Sequence, residues 1–197
     1  MSYEATIKGL SAKTAQLVGE LWQAVENGLL TRDEFTVMAA DVVAVARLRG
    51  AAAAQATLRA YLEVAAGQVL AVTGAASADR ARLLTALGTI LASDHDTLMQ
   101  LTRLAGNEPS DAAASAYHQA MQDSPAVSGW RRGLEGDACQ LCRWWWREGR
   151  VFHKTHRMPR HTGCACHQVP VTRARTDNYQ TAEQAAGAAR SNERRNR

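Results

Sequence analysis

Aromatic residues, proline and cysteine are scarce over most of this 197-residue chain. Phe, Trp and Tyr together make up 6% of the residues, the first proline is residue 109, and cysteine is absent outside residues 139–166. A long alanine-rich stretch without proline favours helix. No apolar run approaches the ~20 residues that a membrane-spanning helix needs, so we expect no membrane partner. The first residues lack the charged and apolar regions of a signal peptide, which predicts a reducing, cytoplasmic environment.

Apolar residues recur at helical spacing through the first 125 residues and predict about five amphipathic helices. Thr31 and Glu34 have the spacing of a capping box, in which each side chain accepts a hydrogen bond from the other residue's backbone N–H. A helix is therefore predicted to begin there. Gly106 is predicted to end a later helix, and Ser110 is predicted to cap a fifth one.

The composition changes after Pro125, where tryptophans and all four cysteines crowd into residues 130–166. It changes again near residue 172, beyond which Tyr179 is the one large apolar residue. We therefore predict a mainly α fold with three parts. They are an N-terminal helical bundle (residues 1–125), a small C-terminal β-hairpin module (126–171) and a basic, partly disordered tail (172–197).

Charge is unevenly distributed, although the whole chain carries a net charge of only +4. Residues 1–127 carry a net charge of −4, whereas residues 128–197 carry +8. A local basic field attracts nucleic acid or an acidic partner surface; the alternative is a solvated face without a partner. Contact with DNA through the basic C-terminal third, without reading its sequence, is therefore one expectation.

The four cysteines stand in two clusters that have the spacing of metal ligands. Cys139 and Cys142 form a Cys-x-x-Cys pair, and eighteen residues separate it from a His161-x-x-Cys164-x-Cys166 cluster. Each cluster delivers ligands from a tight turn, and two such pairs complete a tetrahedron around one ion. In a cytosolic chain these clusters indicate zinc. The alternative is a set of buried free thiols or disulfides.

Five good ligands compete for four positions at this predicted site. Cys139 and Cys142 belong to any ligand set. His161 and Cys164 form the natural second pair, and Cys166 can displace either of them. A site with four protein ligands has no open position for water, so the predicted Zn²⁺ is structural rather than catalytic. The weaker candidates are His153, His156 and His167.

The eighteen residues between the two clusters have a length that suits a β-hairpin. Its predicted strands are residues 144–146, three consecutive tryptophans, and residues 151–152, with Glu148-Gly149 as the turn. On a strand, the first and third tryptophans would share one face and the second would lie on the other. One of these faces is predicted to pack on the zinc site or on the helical body.

A longer pattern surrounds both clusters over residues 137–171. It consists of Cys-x-x-Cys, a Gly-containing spacer, Pro, His-x-x-Cys-x-Cys and a segment that ends in Pro-Val. The matching residues are Cys139, Cys142, Gly149, Pro159, His161, Cys164, Cys166 and Val169-Pro170-Val171. This pattern resembles the C-terminal region of MuF-like minor head proteins of tailed phages. Members often have Pro-Asn between His and Cys, where this chain has Thr162-Gly163, and the ligand pattern is unchanged.

The resemblance implies a structural minor capsid or head morphogenesis protein. Such proteins occur in few copies in the capsid interior or at the portal vertex. The resemblance therefore implies the portal protein or the major capsid protein as partners, packaged DNA as a further contact, and a location in the virion after assembly in the host cytoplasm. The helical N-terminal region also resembles phage head proteins, on composition alone.

Enzymatic functions are the alternatives. Some relatives are described as capsid maturation proteases, yet this chain has no Gly-x-Ser-x-Gly motif and no evident Ser-His-acid trio. A metal-dependent nuclease would use His153, His156 and His161, but Glu148 is the only acid between Cys142 and Cys166. A zinc-ribbon DNA-binding protein would need a recognition helix, and none stands out near the cysteines. We therefore expect a structural protein and not an enzyme.

Overall fold

The structure, a computed structural model, describes residues 2–66 and 77–172. Its elements are the helices α1 (Tyr3–Glu26), α2 (Arg32–Ala66), α3 (Arg80–Leu91) and α4 (Thr97–Asp123), strand β1 (Val127–Gly133), the short helix α5 (Gln140–Trp146), and strands β2 (Phe152–His153) and β3 (His167–Thr172). The strands form one antiparallel sheet in the order β2-β1-β3. The mainly α fold with a small C-terminal β module is confirmed. The predicted tail lies outside the described residues, apart from Thr172.

The predicted capping box begins α2. The hydroxyl of Thr31 accepts a hydrogen bond from the backbone N–H of Glu34 at 3.2 Å, and the Glu34 carboxylate accepts one from the Thr31 N–H at 2.9 Å. Two of the N–H groups that a helix start leaves unpaired are thereby satisfied. The helix then continues without a break through Gly50 as far as Ala66.

One long helix, α4, stands where the sequence predicted two. It runs through Gly106 and Pro109, and both the predicted end at Gly106 and the predicted cap at Ser110 are wrong. Pro109 removes one backbone N–H from the helix, a defect that costs free energy in isolation. Here Pro109 and Ser110 are buried against other elements, and Gly106 lies close to Ala15 of α1. Tertiary packing therefore outweighs the local signals that favour a break.

Two apolar clusters form the core. The first consists of residues from all four helices α1, α2, α3 and α4. It includes Trp22 and Phe35, whose rings meet edge to face with centroids 5.3 Å apart. The second joins α2 and α4 to strand β1, with Trp130 completely buried beside Leu58 and Met121. Helix α4 ends at Asp123 and strand β1 begins at Val127, and the second cluster contains residues from both sides of that point.

The helices α2 and α4 approach closely where Gly50 faces Pro109. A Cβ atom added at Gly50 would lie 3.2 Å from the carbonyl carbon of Pro109 and closer still to its oxygen. Only glycine fits at such a contact. None of the helices within residues 2–66 and 77–172 is both long and apolar enough to cross a membrane.

Candidate metal centre

The first pair of cysteines is carried by the start of α5. Cys139 is the residue before the helix, and its carbonyl accepts the first helical hydrogen bond, from Arg143 N–H at 3.0 Å. Cys142 follows within the first turn and is fully buried. Residues three apart lie on the same side of a helix, so both thiols face the same point.

The predicted strand over residues 144–146 is wrong, because these tryptophans continue α5. Aromatic residues favour strands only weakly, and surroundings decide their conformation. Here a helix is what brings the two cysteine side chains together. The predicted turn lies where expected, since Glu148 and Gly149 both have positive φ angles, 55° and 81°. The predicted strand over residues 151–152 overlaps β2, which pairs with β1 rather than with residues 144–146, and β3 completes the sheet.

The second cluster is a tight turn from His161 to Cys164. The Cys164 N–H donates to the His161 carbonyl at 3.1 Å, and Gly163, the third residue of the turn, has φ of +78°. A positive φ at this position favours Gly or Asn, and the position before it accepts proline. Thr162-Gly163 therefore fits the same turn as the Pro-Asn of the family pattern.

The two turns bring all five predicted ligands together. His161 Nε2 lies 3.3 Å from Cys139 Sγ and 3.2 Å from Cys142 Sγ, and the sulfurs of Cys142 and Cys164 are 3.5 Å apart. Two overlapping groups have all their ligand atoms within 4.8 Å of one another. They are Cys139, Cys142 and His161, and Cys142, Cys164 and Cys166. Cys142 belongs to both groups and is the centre of the cluster.

These three separations are close to the edges of a tetrahedron around one ion. Bonds of about 2.3 Å to sulfur and 2.0 Å to nitrogen give tetrahedral edges of roughly 3.8 Å between sulfurs and 3.5 Å between sulfur and nitrogen. His161 is oriented for coordination, since its Nδ1 lies 2.9 Å from the Thr162 carbonyl oxygen. A carbonyl only accepts, so Nδ1 carries the proton and Nε2 is left free for a metal. The cluster can therefore hold a metal ion.

The electrostatics of the cluster favour a bound cation. Burial raises the pKa of Cys142. A hydrogen bond with Cys164, and then burial, raises the pKa of Cys166, whereas the hydrogen bond from Cys166 lowers that of Cys164. One thiolate is thus favoured among three neighbouring buried sulfurs, because further negative charge there is repelled and poorly solvated. A divalent cation removes this obstacle and makes thiolates favourable at all its ligands.

Arg132 is a functional residue that the sequence did not indicate. Its guanidinium is buried under the cluster, with Nη1 3.9 Å from Cys142 Sγ, and it also donates to the Pro159 carbonyl. The ring of Trp145 covers its other side, 5.3 Å from the guanidinium carbon. A site with three thiolates and one His around a divalent ion carries a net charge of −1, which Arg132 can offset.

The His161–Cys164 turn is fastened to α4 beside Pro109. Ser110 donates to the Cys164 carbonyl at 3.2 Å, and Arg160 donates to that same carbonyl at 2.8 Å and to the Ser110 hydroxyl at 2.7 Å. The Gly163 N–H donates to the Asn107 side chain at 3.3 Å. These residues are far apart in sequence, so no local pattern could have identified them.

A second attachment joins the site to α1. Glu135 accepts a hydrogen bond from the Ala165 N–H at 3.2 Å, and its carboxylate lies 2.7 Å from Lys8 Nζ. Cys166 Sγ lies 3.8 Å from the same carboxylate. The backbone around the ligands is therefore fixed from two helices of the body.

The three weaker candidate ligands lie elsewhere. His153 Nδ1 contacts the Thr155 hydroxyl at 2.8 Å, His156 stacks on Phe152 with ring centroids 5.1 Å apart, and His167 Nδ1 lies 3.1 Å from Glu4. Within residues 2–66 and 77–172, no group of three potential ligands includes any of them.

The cluster, its supporting Arg132 and its attachments to α1 and α4 constitute the candidate site. No protein-family model, curated protein or solved structure matches this chain.

Proposed function

We propose that Cys139, Cys142, His161 and Cys164 bind one structural Zn²⁺. The observation that carries this proposal is the convergence of these ligand atoms around Cys142 Sγ, which lies 3.2 Å from His161 Nε2 and 3.5 Å from Cys164 Sγ, while Cys139 Sγ lies 3.3 Å from His161 Nε2. Three thiolates and one imidazole in a tetrahedral arrangement favour zinc over harder cations. Cys166 is the fifth, unused ligand, because it lies beside Glu135.

We expect metal analysis of the purified protein to give about one zinc per chain. Cys142→Ser and Cys164→Ser are expected to abolish zinc binding, because each removes a ligand from the tetrahedron. Cys166→Ser is the matched control and is expected to keep the zinc. Absence of metal from the parent protein would contradict the proposal. If Cys166→Ser loses its zinc while Cys164→Ser keeps it, the fourth ligand is Cys166 and not Cys164.

On this basis we further propose a structural protein of a tailed-phage head, of the MuF-like minor head group. The resemblance over residues 137–171 supports this, and the positive φ of Gly163 is compatible with Thr162-Gly163 standing where members of the group often have Pro-Asn. The helical body would dock on the portal or major capsid protein, and the basic third would lie against packaged DNA. A closed four-ligand site offers no position for substrate, which favours a structural role over a protease or nuclease.

Purified heads from the phage or prophage that encodes this chain are expected to contain it in few copies. Quantitative mass spectrometry against the portal subunit measures the ratio, and heads assembled without the chain provide the control. Its absence from heads would contradict the assignment to a head protein while leaving the zinc proposal intact.

A further inference from the structure

The C-terminal module exposes tryptophans that the metal centre does not use. The side chain of Trp144 is 64% exposed and that of Trp146 is 38% exposed, both on α5. Arg147 stacks on Trp144, with its guanidinium carbon 5.5 Å from the ring centre. Large exposed aromatic residues in a group are uncommon on a protein without a ligand for them, and so indicate a binding surface.

A pocket of about 430 Å³ lies nearby and is lined by Arg147, the residue that stacks on Trp144. Rings and arginines line most of it, namely Trp145, Arg147, Arg150, Phe152, His153 and His156. The lining residue Phe152 is held in place, because its ring packs against both Trp130 and His156, with ring centroids 4.7 and 5.1 Å away. A preformed pocket walled by flat rings suits a flat, aromatic ligand group.

The same face is strongly basic. Arg147 and Arg150 line the pocket, Arg143 is exposed on α5, and Glu148 is the one acid between Cys142 and Cys166. Three basic residues of this segment also donate to backbone carbonyls within the fold, Arg143 to Ala138, Lys154 to Ser124 and Arg160 to Cys164. The ligand of this face must therefore be anionic as well as aromatic.

Single-stranded nucleic acid combines these two properties. Its bases present open π-faces to aromatic side chains, and its phosphates pair with arginine. Duplex DNA presents phosphates but keeps its bases stacked inside, so its bases cannot stack on exposed indoles. An acidic protein segment offers charge without a series of flat rings.

We propose that this face binds single-stranded nucleic acid without sequence preference. One base stacks on Trp144, a neighbouring base enters the ring-lined pocket, and Arg147 and Arg150 contact the phosphates between them. The proposal goes beyond the zinc centre and the head-protein assignment, and depends on neither for its argument.

Fluorescence anisotropy of a labelled oligothymidylate of about 20 nucleotides, titrated with the full zinc-loaded chain, tests the proposal. We expect tighter binding to this strand than to a duplex of equal length at equal salt. Trp144→Ala is expected to weaken single-strand binding roughly 5- to 100-fold by removing one stacked base, and to change duplex binding little. Replacing both Arg147 and Arg150 by Gln is expected to reduce the slope of log affinity against log salt by about 1.4.

The matched control is the double substitution Arg49→Gln and Arg103→Gln, which removes the same charge from exposed positions on α2 and α4. It is expected to leave single-strand binding nearly unchanged. Zinc content and thermal unfolding of every variant establish that the fold is retained. Because the basic tail contributes charge but no tryptophan, the Trp144→Ala effect isolates stacking.

Three results would overturn the proposal. They are equal affinity for single strand and duplex with no effect of Trp144→Ala, binding of poly-glutamate in preference to the oligonucleotide, and no binding at low salt. If the protein contains zinc, none of these three results contradicts the proposed metal centre. Binding by a parent protein that contains no zinc would instead contradict the metal proposal alone.

Discussion

Removal of the proposed Zn²⁺ is expected to unfold the far end of the C-terminal module. The small cluster there consists of Ala138, Cys142, Cys164 and Cys166, with Leu134 and Trp145 packed against it. Three of its four buried members are cysteines, so little apolar surface is left to hold α5 and the His161–Cys164 turn together without the ion. In small zinc modules the free energy of metal binding, about 10–16 kcal/mol, is largely the free energy of folding.

The loss is expected to reach α4 but not the whole body. Ser110, Asn107 and Arg160 tie the ligand turn to α4, so their hydrogen bonds disappear when the turn unfolds. The first apolar cluster of α1–α4 contains no residue of the module and should persist. After chelation the body alone is therefore expected to unfold, in one step with a smaller denaturant slope than that of the zinc-loaded protein, because the module is already unfolded.

Hydrogen exchange with and without a strong chelator measures this effect. We expect amide protection to fall by several orders of magnitude in α5 and residues 161–166, and to remain in the first half of α2. Cys142→Ser should reproduce the pattern without chelator, and Cys166→Ser should not. Unchanged protection around the cysteines after complete zinc removal would show that packing alone holds the module.

Gly50→Ala is expected to destabilise the protein by about 3 kcal/mol. The added Cβ would overlap the Pro109 carbonyl, which is backbone inside α4 and cannot rotate away. The two helices must then separate, and buried contacts along α2 and α4 are weakened. Because Ser110 follows Pro109, the same movement would shift the support of the ligand turn.

Gly88→Ala is the matched control, since Gly88 lies inside α3 and a Cβ there meets nothing within 4 Å. That substitution is expected to stabilise the protein by about 0.5–1 kcal/mol through better helix propensity. Urea unfolding, with slopes compared as well as midpoints, measures both. Equal midpoints for Gly50→Ala and the parent would mean that α2 and α4 can move apart at little cost.

Much of the site could be predicted because its chemistry is local. Cys139 and Cys142, like His161 and Cys164, are three residues apart, and such pairs reach one point whether the turn is helical or tight. The capping box at Thr31 and Glu34 is local for the same reason, since its hydrogen bonds join residues three apart. The predominance of helix also follows from composition summed over long stretches.

The remaining features depend on residues distant in sequence. The tryptophans of α5 are compatible with either a strand or a helix. The helix is the conformation in which the side chains of Cys139 and Cys142 face the same point. Gly106 and Pro109 favour a helix end, yet α4 continues because α1, α2 and the ligand turn pack along its whole length. The strand β1 gave no strong local signal, and its burial of Trp130 between helices and sheet stabilises it.

The sequence by itself therefore determined which residues can bind the metal and that the body is helical, because both depend on short-range spacing and average propensity. Only the tertiary structure decided where the helices end, which strands form and what supports the ligands. Those outcomes rest on contacts such as Ser110 with Cys164 and Arg132 with Cys142, whose partners are brought together by the packing of α1, α4 and β1. The free energy of that packing exceeds the small local preferences that oppose it.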